Sequence, residues 1–155
     1  MYWLCALDEQ GNHTKLARLY EGLRDTAEYL ALVTLDDGGA MACLHQQVKG
    51  EESSVIQRWD AQGNLVSEIP LAGFCAKRLQ VVQDRIVVCG ETQGVCELLV
   101  LDHTGRVLSR QAVESFSQMG RSLLALDEQR VLLAEYVNGG RGSVRGIYLG
   151  MCSLT

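Results

Sequence analysis

One proline stands against sixteen glycines in this 155-residue chain. Glycine gathers where the backbone must take positive φ between strands, so many tight turns are expected. Long apolar runs are also missing. The apolar stretch that opens the chain, residues 1–7, has no positively charged region before it and is too short for a signal peptide or a membrane span. The longest apolar segment elsewhere, 29–33, is equally short. A cytoplasmic protein with no membrane partner is the expectation.

Basic residues are in deficit, 14 against 19 acidic ones, for a net charge of −5. Binding to a phosphate backbone relies on clustered Lys and Arg, so a nucleic-acid partner is not expected. The one basic cluster, Arg141 and Arg145 in a glycine-rich stretch, reads as a solvated loop. Six cysteines, at 5, 43, 75, 89, 96 and 152, contain no C-x-x-C pair and no histidine at ligand spacing. That argues against a zinc site, and no metal or cofactor is expected. Cys89 and Cys96 flank a hairpin loop expected over 90–95, where they read as cross-strand thiols of a reducing compartment.

What is present is ordinary globular material, 47% hydrophobic and 21% charged, which excludes disorder and a coiled coil. A single domain, 1–155, of this size removes roughly 70% of its unfolded surface from water and holds a core without staples.

Within it runs a repeat. The strings at 6–19, 58–69 and 99–113 share an apolar run, Asp-x-x-Gly, one polar residue and a second alternating run. Asp at the first turn position bonds back to the backbone and Gly at the fourth takes the left-handed conformation, so each string reads as a two-stranded hairpin. A second type alternates with it at 30–46, 79–91 and 123–137: an apolar run, an acidic polar turn and a more apolar run. Residues 86–89 and 131–134 are continuous apolar stretches, which suit strands covered on both faces.

Joining the second type to the first makes a four-stranded unit of about 45 residues, the period of propeller blades. The chain resembles β-propeller repeats in general. The stretch from Leu79 to Val113 is most similar to quinoprotein-like and NHL-like blades, through its Leu…Asp…Gly…Leu-x-x-x-Asp-x-x-Gly-x-x-Leu pattern. Trp59-Asp60 matches the tryptophan-aspartate repeats only in that dipeptide, which neither recurs nor follows a Gly-His. The resemblance implies an all-β fold of about three four-stranded antiparallel blades, with units at 30–70, 79–113 and 123–155 after an outer half-blade at 1–29. One segment argues otherwise: Leu16, Leu19, Tyr20, Leu23, Ala27, Leu30 and Ala31 fall at helical spacing, so a short helix within 20–31 competes with a loop. Residues 70–78 and 114–121 read as loops.

Chemistry is thin. The pairs Asp36-Asp37 and Glu51-Glu52 read as solvated turns rather than the facing carboxyls of a glycosidase. The turns at 8–12 and 60–64 do not supply the oxygens of a calcium loop. The histidines at 13, 45 and 103 belong to different units, and no motif places a Ser or Cys beside them. Gly139–Gly142 precedes a strand, whereas a phosphate cradle precedes a helix. No catalytic, cofactor or metal residue is therefore assigned. The expectation is a non-catalytic scaffold or protein-interaction module. The alternative is a motif-free propeller enzyme or small-ligand binder with its site on top-face loops or at the ring centre. The opening hairpin, 2–19, is of the outer type, and the inner-type hairpin 123–137 is followed by one further strand, 144–151. Three blades are too few for a ring, so two chains completing one another as a homodimer are expected.

Overall fold

A computed structural model describes residues 2–20, 27–48, 50–113, 122–137 and 146–154. Every regular element among them is a strand, and every pairing is antiparallel. The N-terminal sheet pairs β1 (Tyr2–Leu7) with β2 (His13–Tyr20). The second sheet runs in sequence order through β3 (Ala27–Thr34), β4 (Ala40–Val48), β5 (Glu51–Trp59) and β6 (Leu65–Ala72). The third does the same with β7 (Cys75–Val82), β8 (Arg85–Thr92), β9 (Val95–Asp102) and β10 (Val107–Ala112). The fourth holds β11 (Ser122–Ala125), β12 (Arg130–Val137) and β13 (Gly146–Ser153). Among the described residues no sheet closes on itself.

The Asp-x-x-Gly strings form their hairpins by the local mechanism their residues predict. Asp8 Oδ1 accepts the N–H groups of Gln10 and Asn12 at 3.0 and 2.8 Å, and Asp60 Oδ1 those of Gln62 and Asn64 at 2.9 and 2.8 Å. Asp102 Oδ1 takes those of Thr104 and Arg106 at 2.8 and 3.0 Å. Gly11, Gly63 and Gly105 follow at φ of 83°, 83° and 89°. These bonds favour the ionised carboxyl. The Asn12 amide holds Asp8 below the ordinary carboxylate value, the Asn64 amide does so for Asp60, and the Thr104 hydroxyl for Asp102. The unfolded chain therefore binds more protons in acid than the folded one. The turns contribute their full stability above the unfolded value of about 3.9 and lose it as pH falls through the lowered folded values. The urea midpoint should fall as pH drops below about 4, and Asp60→Asn should flatten that dependence.

Turn glycines differ in what surrounds them. A Cβ at Gly105 would lie 2.6 Å from Cγ2 of Ile69 on β6, whereas one at Gly11 meets open space. Left-handed strain costs a β-branched residue about 1–3 kcal/mol at either position. Gly105→Val is therefore expected to be the more destabilising of the two in urea titrations. Equal effects would mean that the third sheet's turn does not rest on the second.

The sheets stack face to face, and alternation sorts their residues. Met41, Cys43, Ile56, Ile69 and Leu71 of the second sheet face Leu79, Ile86, Val88, Leu99 and Leu101 of the third in one buried cluster. The opposite side of the third sheet, Val87, Cys89, Leu98 and Val100, packs on Leu123, Val131 and Leu133 of the fourth. Leu4 joins Ala40 and Trp59 between the N-terminal and second sheets. Residues 86–89 are buried throughout, in accord with a strand covered on both faces, whereas in 131–134 only Val131 and Leu133 are buried, because among the described residues only the third sheet packs on that strand.

Three expectations need correction. The loop expected over 90–95 is a two-residue turn, Gln93-Gly94, because both residues take positive φ, 50° and 82°, and let β8 and β9 pair up to Thr92 and Val95. The connection expected over 70–78 shrinks to Gly73 and Phe74. Pro70 is tolerated within a strand because β6 lies at a sheet edge, and β7 begins early because Ala76 N–H donates to Ser54 Oγ of β5 at 2.9 Å. Where helical spacing competed, residues 13–20 and 27–34 are extended; 21–26 lie outside the described residues. So do 114–121 and the segment with Gly139–Gly142, Arg141 and Arg145.

Candidate functional site

The residues singled out by sequence are mostly kept apart. Glu51 and Glu52 are exposed, His13 and His103 lie in or beside separate turns, and Asp8, Asp60 and Asp102 spend their oxygens on their own turns. Asp37 accepts from Gly39 N–H at 2.9 Å and from Arg58 Nη2 of β5 at 2.8 Å, and these hold its carboxyl below the ordinary value, the Gly39 bond first. Asp36, Asp37, Arg58, Asp84 and His103 line an open cleft of about 340 Å³ between the turn ends of the second and third sheets. Cys89 and Cys96 sit diagonally across the β8–β9 pair with Sγ atoms 4.0 Å apart, too far for a bond. The contact between the two thiols and their burial push Cys89 up.

A second groove runs along the first strands of three sheets. Ala31, Leu32 and Val33 of β3, Arg78 and Gln80 of β7, and Ser122 of β11 line it. Gln80 Nε2 donates to the Leu123 carbonyl at 3.2 Å and bridges the third sheet to the fourth.

At the opposite strand ends lies a cluster with no counterpart in the sequence reading. Cys75 opens β7 directly opposite Glu91 near the end of β8. Glu52 reaches in from β5, so that Cys75 Sγ and one oxygen of each carboxylate all lie within 4.8 Å of one another. His45 of β4 places Nδ1 3.4 Å and Nε2 3.9 Å from the same sulfur. The pairing skips Lys77, a bulge between Ala76 and Arg78. Its ammonium stands 3.9 Å from Glu91 Oε1. Burial pushes the Cys75 thiol up, against the pull of Lys77. Hairpin register alone would have paired Cys75 with Glu91; nothing local announces His45 or Glu52.

A third feature is a surface. On the fourth sheet the side facing away from the third carries Leu124, Leu132 and Met151 in one cross-strand row, with Leu149 beside Ala134 in the next. Leu124, Leu149 and Met151 are 55%, 65% and 62% exposed. No family model matches this chain, and neither curated proteins nor solved structures match it.

Proposed function

We propose that the chain is a non-catalytic, β-propeller-like scaffold that binds proteins and associates with itself through the open face of the fourth sheet. The observation that carries this reading is the apolar row on that face. In the second and third sheets the corresponding side, the one looking onward along the stack, is apolar and buried against the next sheet. The fourth sheet has the same side chemistry, but Leu124, Leu149 and Met151 stand in solvent. Apolar side chains grouped this way mark an interaction surface, whereas single ones need no explanation. At the other end of the stack the N-terminal sheet exposes Cys5 and Leu7, the latter at 73%, which suits it to receive the fourth sheet of a second copy. The blade-like character is supported by β7 touching β3 on one side and β11 on the other, so that the first strands of three sheets share one groove.

Size-exclusion chromatography with light scattering tests the proposal. A species of about 34 kDa, twice the 17.0 kDa chain mass, is expected at micromolar concentration. Leu149→Glu with Met151→Glu should return it to 17.0 kDa without loss of β-type circular dichroism. A monomeric parent protein overturns the self-association. A second reading, a small-ligand binder, is favoured by the charged cleft around Arg58 and His103. Thermal-shift screening against sugars and nucleotides would show it as a reproducible rise in Tm that Arg58→Ala removes.

A further inference from the structure

We infer that Glu52, Cys75 and Glu91, with His45 beside them, form a binding site for zinc or a similar borderline-soft divalent ion at the junction of the second and third sheets. The donor set points there first. A thiolate and an imidazole select zinc-type ions over calcium or magnesium, and carboxylates complete such sites. Geometry agrees. Zinc–sulfur bonds of about 2.3 Å and zinc–nitrogen bonds of about 2.0 Å at a tetrahedral angle set sulfur and nitrogen about 3.5 Å apart. His45 Nδ1 and Cys75 Sγ are 3.4 Å apart, with Nε2 at 3.9 Å, so the spacing is met and the ring has to turn to bring the Nδ1 lone pair onto a shared ion. The two carboxylate oxygens and the sulfur, mutually within 4.8 Å, need only a small inward rotation, which the exposed Glu52 is free to make.

His45 supplies an independent sign. It is only 9% exposed, and among the described residues both its ring nitrogens find no partner but the Cys75 sulfur. Sulfur is a weak hydrogen-bonding group, and here it lies beside the ring edge between the two nitrogens, so this buried imidazole is poorly satisfied by the protein alone. A metal ion accepts that nitrogen fully. The backbone that presents the donors is firm: Cys75 and Glu91 are a direct cross-strand pair, and Ser54 Oγ accepts Ala76 N–H at 2.9 Å, tying β7 to β5. Lys77 is the metal-free counter-ion, its ammonium 3.9 Å from Glu91 Oε1, and it must swing out when the metal enters.

Cobalt(II) titration of the full chain tests this. One equivalent should produce a thiolate-to-cobalt charge-transfer band in the near ultraviolet, and zinc should bleach it by displacement. Cys75→Ser should abolish the band, and Glu91→Gln should weaken zinc affinity at least about tenfold. Lys77→Gln should tighten it about tenfold, because it removes the competing cation. That gain is a readout a merely structural lysine would not give. Cys5→Ser, at an exposed thiol, should change nothing. If Cys75→Ser does not fold by circular dichroism, Glu91→Gln and Lys77→Gln decide alone. No band in the parent protein, a band that survives Cys75→Ser or vanishes with Cys5→Ser, or an affinity unmoved by both Glu91→Gln and Lys77→Gln overturns the site.

Discussion

Gly90→Ala is expected to lower stability by about 3 kcal/mol or more, a drop in Tm of about 10 °C for a chain of this length. The reason is backbone against backbone. Gly90 pairs with Ala76 across β8 and β7, and a Cβ there would lie 2.3 Å from the Cys75 carbonyl oxygen and 2.7 Å from two carbons of the Phe74 ring. A flexible side chain could yield, but a strand carbonyl cannot move without breaking the ladder. Phe74, itself buried, would have to lift off the cluster it shares with Leu79 and Val88. Urea titration of the variant measures the loss. An unchanged midpoint would mean that β7 does not approach β8 this closely.

Leu98→Ala is the second large effect, expected to cost about 2–5 kcal/mol. Leu98 is fully buried on the side of the third sheet that meets the fourth, among Val87, Cys89, Val100 and Leu133. Removing its branched end leaves a cavity between two sheets, and rigid backbone ladders on both sides limit collapse. The fourth sheet should loosen first, so amide exchange in β12 should accelerate more than in β5. Val66→Ala, at an exposed position on β6, should stay within about 0.5 kcal/mol. Equal losses for both variants would contradict the stacking of the third sheet on the fourth.

The features legible in the sequence are those with local causes. Asp60 and Gly63 lie three positions apart, and their turn needs only the side-chain acceptor and the φ freedom those residues carry. The apolar run Ile86–Cys89 could be read as a doubly covered strand because burial on both faces leaves no polar alternation to find. The all-β class and the alternation of two hairpin types follow from such signals.

What stayed illegible depends on contacts between residues far apart in the chain. The start of β7 at Cys75 is set by Ser54, and the loop between Cys89 and Cys96 shortened because Gln93 accepts a positive φ that its residue type does not advertise. The cluster around Cys75 draws its members from β4, β5, β7 and β8, each unremarkable in its own strand. Hydrophobic alternation tells that Leu133 and Leu132 point to opposite sides; which side meets another sheet and which meets water was decided only when the third sheet covered one of them. Local propensity sets turns and strands, while the burial that gives a carboxylate, a thiol or a leucine its meaning arises from sheet packing alone.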